Sequence, residues 1–263
     1  MSDLATRTAL PFVVATTKRL GATLPPKLAE ALESVERLRT ERRAFKDVPD
    51  ITAAVAASIL AGKDPLASKD VQRAAIAQQL IDLNIEHRLN EHAHQRGANA
   101  LLEHADAVID SWRPAVEKAE AALRRFRDLV PGVSPLDDGL PVGLPTQALT
   151  PWGEAREAAA IVEEVGKGWH ALANLGAAYV GQHGRPIMVA DLTYEQVQGL
   201  GTTPKCIDVI RLDVPIELAS TTTYAERAAR IAQGAQDHQN YEAAAPERAR
   251  EERRQQMGVV MIP

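Results

Sequence analysis

The sequence predicts a mainly α-helical protein, an elongated helical bundle with one very long helix, a Pro/Gly-rich linker and a small α/β unit near the C-terminus. Aromatic residues make up only 4% of the 263 residues, so the core must be built from Ala, Leu, Val and Ile. Apolar residues recur at three- and four-residue intervals over long stretches, which is the period of amphipathic helices. Prolines and glycines concentrate at 131–151, where they disfavour helix.

These signals divide the chain into five regions. They are an irregular N-terminal arm at 1–25, a helical domain with the long helix at 26–130, the Pro/Gly-rich linker at 131–150, a helix plus a small strand-helix-strand unit at 151–223, and a polar helical tail with an apolar terminal tag at 224–263. The arm has no sustained period and contains Pro11 and Gly21, so we expect irregular structure with a short strand at 12–15.

Two helices follow the arm and are expected to form a hairpin. Pro26 suits a first helical turn. The apolar face of this first helix contains Leu28, Leu32, Val35 and Leu38, and continues to Arg42 and Phe45. Pro49 ends it, Asp50 can cap the next helix, and that helix has Ile51, Val55 and Ile59 on its face.

The dominant feature is a helical pattern that runs from Lys69, after a possible N-cap at Ser68, to about Val130. A continuous helix of this span would be roughly 90 Å long. Its apolar stripe contains Ile81, Ile85, Leu89, Ala93, Ala100 or Leu101, Ala105, Val108, Trp112, Val116, Ala119, Leu123 and Phe126. Because Pro114 is unfavourable inside a helix, we predict a kink or break near Ser111. A stripe this long exceeds what short helices can cover and therefore favours an oligomer.

The region after the linker begins with a helix at Pro151 that extends to about Gly181. Its predicted stripe contains Ile161, Val165, Trp169, Leu172, Leu175 and Tyr179, while Gly166 and Gly168 beside it indicate a closely packed neighbour. Two predicted strands at 187–190 and 206–212 flank a short helix that Thr193 and Gln196 can open as a capping box.

The last region begins with a polar helix at 224–238 and continues into a charged stretch at 247–256. An apolar tag then follows, with Met257, Val259, Val260, Met261 and Ile262. We expect the tag to dock on another subunit, the alternative being a frayed end.

Charge, cysteine content and hydropathy exclude several classes of protein. The formal net charge of −5 argues against a general nucleic-acid binder, which needs a basic excess. The single Cys206 excludes an intramolecular disulfide and a zinc site of several thiolates. The chain contains neither an apolar run long enough for a membrane span nor a signal-peptide pattern, so we expect a location in the bacterial cytoplasm or in a virion, and no membrane partner.

The best candidate for chemistry is a group of histidines in the long helix. His87, Glu91 and His94 share one face, and Glu91 with His94 has the Glu-x-x-His spacing of di-iron bundles. A second Glu-x-x-His is absent, so we interpret the group as a hydrated polar face. Cys206 lies in a predicted strand and is interpreted as a packed apolar residue. We therefore assign no catalytic, cofactor-binding or metal-binding residue, and expect neither an enzyme nor a cofactor.

Three basic clusters remain, and acidic residues interleave or flank each of them, as is typical of a solvated, salt-bridged surface. They comprise Arg37, Arg39, Arg42, Arg43 and Lys46, then Arg124, Arg125 and Arg127, and finally Arg248, Arg250, Arg253 and Arg254. The sequence favours a non-enzymatic structural or assembly protein that oligomerises or docks with other subunits of a large particle. The alternatives are a metal-dependent enzyme with its site on the histidine-rich helix and a DNA-binding regulatory protein that uses the first basic cluster.

The composition narrows the kind of particle. Ala is abundant and Arg outnumbers Lys. In this composition the sequence is similar to helical accessory and assembly proteins of phages that infect GC-rich bacteria. That similarity implies a bacteriophage virion as the particle. It covers composition alone and assigns no residues.

Overall fold

The computed structural model describes residues 3–41, 50–137, 139, 143–181 and 184–258, and these are mainly helical, with no β-strand among them. The α-helices are α1 (Asp3–Arg19), α2 (Pro26–Glu41), α3 (Ile51–Leu60), α4 (Lys69–Asp82), α5 (Ile85–Glu103), α6 (Ala105–Leu129), α7 (Leu149–Asn174), α8 (Tyr194–Gly199) and α9 (Thr221–Gly258). Short 3₁₀ helices lie at Pro65–Ala67, Thr146–Ala148, Pro186–Met188 and Cys206–Leu212.

The chain divides into two compact units. Unit 1 comprises Met1–Ser111 and Asn174–Ala177, and unit 2 comprises Trp112–Ala173 and Ala178–Pro263. The boundary between them falls within α6, and the Pro/Gly-rich segment 131–150 lies inside unit 2.

The single very long helix predicted at 69–130 is wrong, because α4, α5 and α6 are separate. Asn84, between α4 and α5, adopts a left-handed conformation with φ of 54°, which no α-helix can contain. His104, between α5 and α6, has φ of −112°. Of the kink or break predicted near Ser111, the break is wrong and the kink stays a prediction. The Ser111 hydroxyl donates to the Val108 carbonyl at 2.7 Å, and α6 continues through Pro114.

The apolar stripe within this stretch is confirmed for its C-terminal part. Every predicted position from Ala93 to Phe126 is buried. Ile81, by contrast, is 58% exposed. The stripe from Ala93 to Phe126 is therefore covered by the chain itself and does not call for a partner.

The irregular N-terminal arm with a strand at 12–15 is also wrong, because this region forms α1. Its buried face contains Leu10, Val13, Thr16 and Thr17, which recur at helical spacing. The two threonines conceal the period, although the Thr17 hydroxyl is satisfied by the Val13 carbonyl at 2.9 Å. A methyl group on Gly97 in α5 would lie 2.9 Å from Leu10 in α1, so these helices approach closely.

Helix α3 pairs with α4 rather than with α2 as predicted, and α3 and α4 form a hairpin with a small core of their own. Asp50 caps α3 as predicted, since its carboxylate accepts from the Ala53 N–H at 3.3 Å. Ala54, Val71 and Ala74 are buried, with Ile51 and Val55 packed partly against them. Ile59 does not lie on the packed face as predicted, because it is 60% exposed and the neighbouring Ser58 is buried instead.

The small α/β unit predicted within 151–223 is wrong. The segments 187–190 and 206–212 form 3₁₀ helices and coil. Cys206 and Val209, three residues apart, are both buried, which matches the 3.0-residue turn of a 3₁₀ helix. The capping box of α8 is confirmed, since the Thr193 hydroxyl accepts from the Gln196 N–H at 3.3 Å and the Gln196 side chain accepts from the Thr193 N–H at 2.8 Å.

The ends of two further helices differ from the prediction. α7 ends at Asn174, five residues before Tyr179, which is 90% exposed. α9 does not end near His238 but continues to Gly258 through Pro246.

Unit 2 is organised around residues 214–220, which we call the extended segment because they belong to no helix. Two of its N–H groups donate to backbone carbonyls, Glu217 to Val189 and Ala219 to Met188, each at 2.8 Å. A third, that of Ile216, donates to the Glu120 carboxylate of α6 at 3.0 Å.

Side chains from three helices donate to the carbonyls of the extended segment. Arg113 of α6 donates to Leu218 at 2.8 Å, and the Trp169 indole of α7 donates to Ala219 at 2.9 Å. Arg227 of α9 donates to Glu217 and Ile187, both at 3.1 Å.

Arg227 is the most deeply buried charge in this network, with 2% of its side chain exposed. Burial lowers the pKa of its guanidinium, and the nearby carboxylates of Glu217 and Asp191 act in the opposite direction. The carboxylate of Glu217 is 3.2 Å away and mostly exposed. Removing Arg227 would leave the buried Ile187 carbonyl and the partly buried Glu217 carbonyl without this donor.

Arg227→Met should therefore lower the free energy of unfolding by about 3 kcal/mol, since each unsatisfied buried acceptor is unfavourable. The matched control is Arg230→Met in the same helix. Arg230 is 59% exposed and pairs with the exposed Asp191, so its loss should lower the free energy by less than about 1 kcal/mol. Urea unfolding of both variants makes the comparison. Equal effects would show that the buried hydrogen bonds do not stabilise the unit.

Candidate interaction surface

Six large aliphatic side chains of unit 1 are exposed between residues 59 and 83, and we call them the aliphatic surface. They are Ile59 (60% exposed), Leu60 (89%), Leu66 (82%), Ile76 (58%), Ile81 (58%) and Leu83 (58%). Exposed apolar side chains that cluster on a surface mark interaction sites in soluble proteins, so these residues are the candidates.

The aliphatic surface arises because α4 has apolar residues on two opposite faces. Val71, Ala74 and Ala77 are buried on one face. On the other face, Ile76, Leu80 and Leu83 follow at spacings of four and three residues, which places them in line along the helix. Small residues thus fill the hairpin core, and larger ones remain outside it.

Charged residues continue the exposed face of α4 towards its N-terminus. Lys69 and Arg73 precede Ile76 at the same alternation of four and three residues, so all five side chains share one face. Asp82, in the last turn of α4, does not belong to this face, since it lies beside Gln78, whose side-chain amide donates to its carboxylate at 2.9 Å. The face is therefore basic towards the N-terminus of α4 and aliphatic towards its C-terminus.

The histidines that the sequence singled out lie on α5 at the protein surface. The His87 Nε2 is 3.0 Å from a carboxylate oxygen of Glu91, and both side chains are about half exposed. Over the described parts of the chain, no group of three or more His, Cys, Asp or Glu side chains is arranged to hold a metal ion. His94 is half-buried on the same helix.

Cys206 is buried, in a 3₁₀ helix rather than in the predicted strand. Its thiol donates to the Arg185 carbonyl at 3.1 Å, and it packs so closely on α7 that a Cβ at Gly166 would lie 2.6 Å from the Cys206 Cβ. Burial, and to a lesser degree the nearby carboxylate of Glu163, raise the pKa of this thiol to about 12. A buried neutral thiol is a poor nucleophile. The close neighbour predicted for Gly166 is confirmed.

The second basic cluster pairs with acidic residues, as the sequence predicted. Arg124 lies 3.2 Å from Glu120, and Arg127 lies 2.6 Å from Asp213. Arg125 forms an ion pair with Glu154 of α7. Arg42, Arg43 and Lys46 of the first cluster lie outside the described residues, as do the side chains of Arg39 and of the third cluster.

Unit 2 contains a surface groove of about 550 Å³ between α6 and α7. Its floor is formed largely by alanines, including Ala122 and Ala158. Lys118 and Arg125 line the α6 side, whereas Glu154 and Glu157 line the α7 side. The sequence analysis did not find this groove, although the spacing of three and four residues on both helices could have indicated it.

No protein-family model matches the sequence, and no curated protein or solved structure is significantly similar to the chain. Among the described helices, none is long and apolar enough to cross a membrane.

The buried thiol predicts a pH dependence of stability. Its folded pKa of about 12 lies above the ordinary value of 9.0, so the thiol ionises first in the unfolded chain. Its contribution to stability is complete below pH 9 and is lost as the pH rises towards 12. Relative to Cys206→Ala, the wild type should lose about 2 kcal/mol of unfolding free energy between pH 8 and pH 10.5. Denaturant titrations at both pH values measure this. An unchanged difference would contradict the buried, neutral thiol.

Proposed function

We propose that the protein is a non-enzymatic structural or assembly protein whose copies bind each other through the aliphatic surface. The observation that carries this proposal is the concentration of exposed Ile and Leu side chains on the hairpin of α3 and α4. Burying such side chains against a second copy removes apolar area from water, which is the main driving force of association. This surface replaces the buried stripe of α5 and α6 as the reason to expect an oligomer.

The face of α4 favours a second copy in an antiparallel arrangement. A two-fold axis near Leu80 places Ile76 of each copy opposite Leu83 of the other, so the aliphatic residues cover one another. The basic residues Lys69 and Arg73 of the two copies then lie at opposite ends of the contact. A parallel arrangement would instead place like charges together, which is unfavourable.

The chemistry of the other candidate residues agrees with a non-enzymatic role. His87 and Glu91 are solvated and paired with each other, and the Cys206 thiol is buried and hydrogen-bonded to backbone. The arginines at 124–127 pair with carboxylates, which leaves little free positive charge there for DNA. The particle to which the copies belong is proposed to be a virion, on the support of the composition alone.

The double variant Ile76→Lys/Leu83→Lys should abolish self-association while leaving the fold intact. Both side chains are 58% exposed, so little packing is lost within one chain. A symmetric contact loses four half-exposed side chains at about 1 kcal/mol each, which weakens the dissociation constant by about 10³-fold. Light scattering of wild type and variant at matched concentrations measures the mass.

The matched control is Leu149→Lys, which changes a 40% exposed leucine of unit 2. It should leave the mass unchanged. The proposal is contradicted if the wild type remains a 28.5 kDa species at high micromolar concentration, or if the double variant keeps the mass of the wild type.

A further inference from the structure

The second half of α9 leaves the packed part of unit 2. Tyr224 and Arg227 are buried and Ala235 is half-buried, but the described side chains from Gln236 to Pro246 are exposed on every side of the helix. Local pairs support this part of the helix, with Gln236 donating to Asn240 at 3.1 Å and His238 lying 3.3 Å from Glu242.

The apolar residues of the segment 257–262 come directly at the far end of α9. The helix continues to Gly258, so about 35 Å of helix separate Ala235 from that end at ~1.5 Å per residue. The four residues from Val259 to Ile262 can span only about 14 Å when fully extended. A fully extended stretch of four residues is therefore less than half as long as this part of α9.

The groove between α6 and α7 has the properties that such a segment requires. Its alanine floor and Ile161 offer apolar contact where bulky side chains can lie, and its volume of about 550 Å³ is within the range of ligand pockets. Arg125 and Glu154 form an ion pair with each other. Lys118 and Glu157 add one charge of each sign to the lining, and residues 247–256 likewise contain both signs, with three glutamates and four arginines.

We propose that the apolar segment 257–262 of one copy binds in the groove between α6 and α7 of a second copy. The long exposed part of α9 carries the segment across to its partner. This contact joins two different surfaces of the chain, whereas the contact through α4 joins identical ones. A symmetric contact combined with a head-to-tail contact can extend an assembly beyond a dimer, as a large particle requires.

Disulfide cross-linking between two single variants tests this contact. Ala122→Cys places a thiol on the groove floor and Val260→Cys places one in the segment, and both changes are small. A mixture of the two full-length variants should form a cross-linked dimer under mild oxidation. It should form about tenfold faster than a mixture of Val260→Cys with Ala225→Cys, an exposed control position on α9. The natural Cys206 is buried and serves as the background in every chain.

Two further experiments distinguish this contact from the one through α4: competition by a peptide, and cross-linking of chains in which the α4 contact is disrupted. A synthetic peptide of residues 257–263 should slow the specific cross-link, and a peptide with Val260 replaced by Asp should not. The cross-link should persist when both chains also contain Ile76→Lys/Leu83→Lys, since the groove lies elsewhere. Equal cross-linking of the groove and control positions would overturn the inference. A variant with both Ala122→Cys and Val260→Cys in one chain gives a second test. If its disulfide forms only within single chains, the inference is also overturned.

Discussion

The hydrogen bonds of the extended segment 214–220 are the constraint on which unit 2 depends. A buried stretch that belongs to no helix must find partners for its N–H and C=O groups elsewhere. Here α6 supplies Glu120 and Arg113, α7 supplies Trp169, and α9 supplies Arg227. The three helices are thereby hydrogen-bonded to the backbone of the extended segment, which helps to fix their positions.

The buried and ion-paired polar side chains of unit 2 therefore stabilise its fold. Arg227 and Glu120 are buried, and Arg124 and Arg127 of α6 form ion pairs with carboxylates. Unit 1 shows the opposite balance, since α3 and α4 enclose a core of alanines and one valine while isoleucines and leucines remain outside. A chain that exposes its larger aliphatic residues around a small core has a surface suited to binding, and this contrast leads to the proposal of an assembly protein.

The sequence predicted those elements whose pattern is local. The stripe from Ala93 to Phe126, the cap at Asp50 and the capping box at Thr193 depend on residues a few positions apart, and all three are confirmed. The mainly helical fold follows from the same periodicity. Helix α1 was not predicted, because the buried Thr16 and Thr17 interrupt the apolar period of its packed face. The helix ends at Asn84 and His104 have no Pro or Gly beside them, so the sequence pattern did not indicate these breaks.

The functional surfaces were less accessible to sequence reasoning. The face formed by Lys69, Arg73, Ile76, Leu80 and Leu83 has a regular spacing, but only the structure shows that the opposite face of α4 is the buried one. The network around Arg227 joins residues far apart in sequence and leaves no periodic signal. The groove likewise depends on how α6 and α7 lie beside each other.

Hydrogen exchange of the full chain at two protein concentrations tests whether the copies bind each other through α4. Above the dissociation constant of self-association, the amides of α4 should exchange more slowly than in dilute solution. The amides of Ile216 and Ala219, which are bonded within one chain, should exchange equally slowly in both. Exchange of α4 that is independent of concentration, in a sample shown by mass to associate, would place the contact elsewhere and contradict the account.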